Sequence, residues 1–366
     1  MRVVHVAPTA FGVDGLFGGG ERYPLELARA LAGEPGVDCE LVTFGRSPGV
    51  DHDASGLCVR VLRPLTYWPR HRSHPVSLGL FLPVRSADIV HTHHFRSTPS
   101  RLAALTARSG RRATGVVTTD HGLGGSGSRG LFPRLFDRFL VVSRYSAATL
   151  DTPPAKTRVV YGGADPSRFR PEPGGTRAGV LFVGRLTPHK GVDRLLRALP
   201  GDAELTIAGT VGHDRRGPER AYPRDLRRLA AGRRVRFHGP VAEESLPALH
   251  RRAAVFALPS VDRTCYGRPV AISELLGLSV LEAMASATPV VASRIGGVPE
   301  VVVDGETGFL VEPGDVDALH DRLATLLTDH RLARRLGDNA RSALTDRFTW
   351  GACARRCVEA YRELVT

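Results

Sequence analysis

Apolar residues along the chain gather into short runs, each followed by a loop and then by a stretch whose apolar positions recur at helical spacing. Short runs bounded by glycine and proline read as buried strands, and the periodic stretches read as amphipathic helices. The first run is VVHVAP. A glycine-rich loop, TAFGVDGLFGGG, follows it, and then the segment ERYPLELARALA, in which Leu25, Leu27, Ala28 and Leu31 form the apolar side. CELVTF, ADIVHTH, TGVVTTD and FLVVS continue the series. Strands alternating with helices in this way predict a parallel sheet with helices on its faces.

Periodicity disappears between Tyr161 and Gly175, where proline and glycine concentrate, and the linker is expected there. The alternation then restarts with GVLFVGRL, VDRLLRAL and ELTIAG, a helix around Asp225 to Ala231, VRFHGPV, and a helix from Glu243 to Arg252. VFALPS, SVLEAMASA, PVVAS, GFLVEP and DVDALHDRLATLL complete it. The pattern predicts two doubly wound α/β domains facing each other across a cleft, with ligands bound beyond the carboxyl ends of the strands.

Composition narrows the function classes. A chain of 366 residues, 42% apolar and 24% charged, is long enough for two packed domains. MRVVHVAP lacks the features of a secretory signal, and the longest apolar run, Val76 to Val84, is far shorter than the roughly 20 residues of a membrane span. The five cysteines, at 39, 58, 265, 353 and 357, form no CxxC pair, which fits a reducing cytoplasm; Cys353 and Cys357 are expected to pack on one helix. The net charge of +13 favours anionic partners, and the stretch from Arg96 to Arg112 reads either as a basic amphipathic helix on a membrane face or as a solvated helix. No aromatic residues interleave with the arginines, so nucleic acid is not an expected partner.

Only two of the 50 basic residues are lysines, Lys156 and Lys190. Lys190 lies in GRLTPHKG, between the strand GVLFV and a helix. Such a loop brings Arg185 and Lys190 to the strand ends, where two cations and helix amides suit a diphosphate. A compact ammonium differs from a planar guanidinium, which accounts for a lysine in so arginine-rich a chain. Further on, Glu274 and Glu282 stand seven residues apart. With a helix starting near Leu278, the free amides of Leu278 and Ser279 fall between the two carboxylates, which accept hydrogen bonds from sugar hydroxyls.

This stretch, Ser273 to Asp315, resembles the nucleotide-sugar site of the retaining glycosyltransferases of family four, and the likeness runs through the whole chain to VDGETGFLVEPGD. The resemblance implies the GT-B fold: residues 1–165 as an acceptor-side Rossmann-like domain, 166–349 as the nucleotide-sugar domain, and 350–366 as a helix crossing back to the first. It implies that Gly18 and Gly19 approach the donor phosphates, that Arg185 and Lys190 neutralise the diphosphate, that Glu282 binds the ribose, that Glu274 faces the transferred sugar, and that His121 reaches that sugar. The implied activity is transfer of a hexose from a nucleotide-diphosphate sugar to an acceptor hydroxyl, with no cofactor and no metal, in the cytoplasm or at the inner membrane face. Cell-envelope polysaccharide or lipid-linked intermediates and natural products are all compatible acceptors.

The chain departs from the family pattern in places. Leu275 and Leu276 stand where proline and phenylalanine are frequent, and Ala287 stands where a glycine is usual. Residues 261–273 form a longer connection than in many relatives, placed to influence acceptor or sugar choice. Asp51-His52-Asp53 has the DxD form of metal-dependent transferases but is read as a polar loop remote from the diphosphate site. His91, His93 and His94 are read as ending their strand in a loop that lines the cleft. Two other classes remain open: a sugar-nucleotide epimerase or hydrolase on the same architecture, and a nonenzymatic basic scaffold.

Overall fold

The computed structural model describes all residues except 11–12, 14–17, 70, 111–113, 122–131, 173, 212–216 and 366. Half of the glycine-rich first loop, Arg111 and Arg112 of the basic stretch, and the loop after His121 therefore lie outside the described residues. The chain divides into two compact units, Met1–Gly162 with Trp350–Thr366, and Gly163–Thr349.

The first unit begins with β1 (Arg2–Val6), α1 (Gly19–Ala32) and β2 (Asp38–Phe44). β3 (Gly49–His52), β4 (Cys58–Leu62), β5 (Thr66–Tyr67), β6 (Pro75–Val76) and α2 (Phe81–Arg85) follow. β7 (Ile89–His93), α3 (Thr98–Ser109), β8 (Gly115–Thr119), β9 (Arg138–Val141), α4 (Arg144–Thr149) and β10 (Thr157–Val159) complete the series. The main sheet runs β10-β9-β8-β7-β1-β2-β4-β3, parallel except where β3 turns back along β4. Val3, Val4 and Val6 are fully buried, as expected for a strand covered on both faces.

Asp51 and His52 therefore lie in an exposed edge strand and not in a loop. The segment GVDH has no apolar run; it is held in place by pairing with CVRVL, which local pattern does not show. Asp53 follows the strand. Bonds from Ser55 and from Arg29, at 2.7 Å, hold its carboxyl below the usual range against the opposing effect of burial. The basic stretch also differs from an interfacial helix. α3 buries Pro99, Ser100, Ala103, Ala104 and Ala107, while Arg101 stacks 4.4 Å from the Phe132 ring centroid and Arg108 pairs with Asp137 at 2.7 Å.

The second unit holds β11 (Val180–Val183), α5 (Val192–Ala198), β12 (Leu205–Ala208), α6 (Tyr222–Leu229), β13 (Val235–Gly239) and α7 (Leu246–Arg252). β14 (Val255–Leu258), α8 (Leu278–Ala285), β15 (Val290–Ser293), β16 (Phe309–Val311), α9 (Val316–Thr328) and α10 (His330–Arg347) follow. Its sheet is wholly parallel in the order β13-β12-β11-β14-β15-β16. Strand order reverses between β11 and β14, and in an open α/β sheet ligands bind at the carboxyl ends of the strands at such a point. Ala287, in the turn after α8, takes a left-handed φ of 51°, the conformation for which glycine is the usual residue.

The last helix, α11 (Trp350–Val365), belongs to the first unit. Its stripe Trp350, Cys353, Cys357 and Tyr361 recurs at helical spacing and is buried, with the Cys353 Sγ 3.4 Å from the Tyr23 hydroxyl. Both cysteines thus pack in the interior. Each large side chain buried here contributes on the order of 1.5–3 kcal/mol. Among the described residues no helix is long and apolar enough to cross a membrane.

Candidate active-site residues in the two units

In the second unit the two loops at the strand reversal carry the charged residues. The loop after β11 is pinned by glycines. A β-carbon on Gly209 would lie 1.9 Å from the Gly184 carbonyl oxygen, and one on Gly191, at φ +66°, would lie 1.9 Å from that of Pro259. With Gly191 seated against the loop after β14, the Val261 amide donates to the His189 carbonyl at 2.9 Å. Lys190 is thereby aimed at Glu274. Its Nζ donates to Glu274 Oε1 at 2.5 Å, and the Ser260 hydroxyl donates to the same oxygen at 2.7 Å. Arg185, in the same loop, is exposed. Burial, with the Lys190 and Arg185 cations next in effect, pushes His189 down to about 2, so it stays neutral.

Glu274 is fixed from its other side. The Gly297 amide donates to its carbonyl at 3.1 Å, and Gly296, at φ +60°, leaves room for that carbonyl where a β-carbon would approach to 1.8 Å. Four residues later α8 opens at Leu278 and Ser279, whose amides precede any intrahelical acceptor. Glu282 follows one turn on, with 6% of its side chain exposed, and its Oε2 is 3.6 Å from His250 Nε2. Lys190, Glu274, Leu278, Ser279 and Glu282 thus gather at one strand reversal. Ser260 and His189 join them, and buried His250 backs Glu282, although none of the three is singled out by the sequence. Serine beside a strand end and histidines within helical or loop patterns carry no distinguishing spacing.

The long connection at 261–273 folds on itself, with the Thr264 amide bonded to the Arg268 carbonyl at 2.9 Å. Arg268 forks onto Glu219 at 2.6 and 2.9 Å, and the Tyr266 hydroxyl donates to Asp225 at 2.7 Å. These bonds tie it to the start of α6.

In the first unit Gly18 caps α1 and Gly19 is its first residue. His121 follows β8, and it does not stand apart. Alternate residues of a strand share a face, and adjacent parallel strands align. His5 on β1 is therefore level with His91 on β7, and His93 with Thr119 on β8, two residues before His121. His91 and His93 are fully buried inside the unit and do not line an opening. Their burial is possible because polar partners come from distant segments. His91 Nδ1 pairs with the Tyr361 hydroxyl at 2.6 Å and Nε2 with Thr119 Oγ1 at 2.8 Å. His93 pairs with His5 at 3.0 Å and with His121 at 3.2 Å.

One nitrogen from each of His5, His91 and His93 lies within 4.8 Å of the others. Such spacing suits ligands of a metal as well as mutual hydrogen bonding. Here both His91 nitrogens are taken by hydroxyls, and His5 and His93 bond each other, so an ion would have to displace these contacts.

Comparison with known proteins places this arrangement in a family. Residues 17–168 match the family model described as Glycosyltransferase Family 4, and residues 165–343 match that of Glycosyl transferases group 1. A GDP-mannose-dependent alpha-(1-6)-phosphatidylinositol monomannoside mannosyltransferase of Mycolicibacterium smegmatis (strain ATCC 700084 / mc(2)155) is 34% identical over 289 residues, 70% of this chain and 72% of that protein. Among solved structures, sucrose-phosphate synthase from Thermosynechococcus elongatus superposes with a TM-score of 0.74 at 24% identity, covering 100% of this chain and 99% of that one. The Anabaena HepE protein, solved with UDP-glucose, gives a TM-score of 0.74 at 19% identity over the whole of both chains. The fold is GT-B, and the chain belongs to the group 1, family 4 glycosyltransferases, enzymes that transfer sugar from a nucleotide sugar.

Proposed function

We propose that the chain moves a hexose from a nucleoside-diphosphate carrier to an acceptor hydroxyl with retention of anomeric configuration, its own cations meeting the charge of the leaving diphosphate. The observation that carries this reading is the Lys190–Glu274–Ser260 contact at the strand reversal of the second unit. Cleavage of the sugar–phosphate bond sends its electron pair to the diphosphate, and Lys190, Arg185 and the opening amides of α8 are the groups suited to that charge. A divalent ion is then not needed at the phosphates. Glu274 Oε1 accepts two bonds, one from a cation, which makes the carboxylate a weak nucleophile and favours positioning of the sugar over covalent attack. The acceptor oxygen attacks the anomeric carbon from the face the diphosphate leaves, and its proton passes to the departing phosphate oxygen. Turnover of an α-linked donor, followed by NMR of the anomeric C–H coupling, is expected to give an α-linked product. A β-linked product would contradict retention.

The relative from Mycolicibacterium smegmatis is named for GDP-mannose and a phosphatidylinositol monomannoside acceptor, and a lipid-linked acceptor fits a surface of this chain. Leu65, Trp68, Leu78 and Leu82 are 70%, 74%, 67% and 80% exposed on the segment around β5, β6 and α2. Five arginines and no acidic residue fall between Asp53 and Asp88. Exposed apolar side chains among cations suit an anionic membrane face. Trp350 is buried, so Trp68 reports on this surface; vesicles with anionic headgroups should shift its emission to the blue. An emission unchanged by such vesicles would remove this segment from the membrane reading.

A further inference from the structure

We infer that His5 and His93 form a relay behind His121 that sets its tautomer, leaving His121 neutral with its proton on Nδ1. The inference rests on the reading above only in giving His121 contact with the transferred sugar. Three imidazoles stand in line: His5 Nδ1 is 3.0 Å from His93 Nε2, and His93 Nδ1 is 3.2 Å from His121 Nε2. The His93 and His121 rings lie nearly parallel, 13° apart.

The direction of the relay follows from its blind end. His5 Nε2 is buried and has no hydrogen-bond partner among the described residues. An orphaned buried N–H is rarer and costlier than an orphaned lone pair. The His5 proton therefore sits on Nδ1 and is donated to His93 Nε2. A neutral imidazole has one proton, so that of His93 sits on Nδ1 and is donated to His121 Nε2. His121 is left with a proton on Nδ1 and its Nε2 lone pair occupied. Burial holds all three rings well below the ordinary histidine range, and nearby imidazoles add to the effect on His93 and His121.

The consequence for chemistry is specific. His121 donates a hydrogen bond through Nδ1 and has no free lone pair with which to act as a base. His5 and His93 are positioning residues. Hydroxyls already hold both nitrogens of neighbouring His91, so it lies outside the relay.

The test uses full-length protein with 15N-labelled histidine. Long-range proton–nitrogen correlation, assigned through the peaks lost in His121→Gln, should show His121 Nδ1 protonated and Nε2 unprotonated. In His93→Leu, and in His5→Leu, which leaves the neighbour of His121 untouched, this preference should give way to a tautomer mixture. His93→Asn places an amide donor where Nδ1 stood and should restore it. Turnover in His93→Leu should fall about tenfold, the worth of one neutral hydrogen bond, with the donor KM little changed, and His93→Asn should recover it. A wild-type His121 protonated on Nε2, or a His121 tautomer unmoved in both leucine variants, would overturn the relay. Unchanged turnover in His121→Gln with the predicted nitrogen shifts would support the relay and overturn only the sugar contact.

Discussion

Lys190→Ala is expected to lower donor turnover on the order of 10²- to 10³-fold, the loss that follows removal of one preorganised charge facing a developing anion. Two effects combine, and they separate experimentally. The lysine Nζ is 2.5 Å from Glu274, whose side chain is 7% exposed, so the variant leaves that carboxylate with only Ser260 as partner among the described residues. Removing one member of such a pair costs about 3 kcal/mol, the low end of the buried range, since Lys190 keeps 15% of its side chain exposed. For a unit of this size that lowers Tm by roughly 6–12 °C. Kinetics taken well below the lowered transition, with circular dichroism confirming the folded state, isolate the catalytic loss. Lys190→Arg should fall between wild type and alanine, because its planar fork keeps the charge but not the compact ammonium geometry. Turnover in folded Lys190→Ala within threefold of wild type would remove the lysine from its assigned role.

The site and the fold were legible to different depths, and particular residues show why. The β11 and β14 runs, each of four residues bounded by turns, mark strands by local pattern alone. Once they are parallel neighbours at a reversal of strand order, the meeting of Lys190 with Glu274 follows, although 84 positions separate them. Glu282 follows from the helix start at Leu278. The histidine row did not follow. In the run ADIVHTH the apolar residues stop before His91, where a loop usually begins; its burial in the middle of β7 depends on partners such as a tyrosine 270 positions later. The β3 edge strand was hidden for the same reason, since GVDH acquires its conformation from a partner and not from its own residues. Gly296 stands inside a recognisable motif, but the need for glycine there appears only when the Glu274 carbonyl is in place.

Calorimetric titration decides whether the second unit is a nucleotide-sugar site built around the two glutamates. Glu282 is 6% exposed on α8, one turn beyond the helix start. In the proposed role this carboxylate would accept hydrogen bonds from two ribose hydroxyls, each worth about 1.5 kcal/mol or more when one partner is charged. Wild-type protein should be titrated with UDP-, GDP-, ADP- and dTDP-sugars, and the donor that binds should then be titrated into Glu282→Ala. Selective binding of a nucleotide sugar by the wild type is expected, with a weakening on the order of 10²-fold in the variant. A donor bound equally well by Glu282→Ala, or no binding by the wild type to any of the four, would rule out such a site.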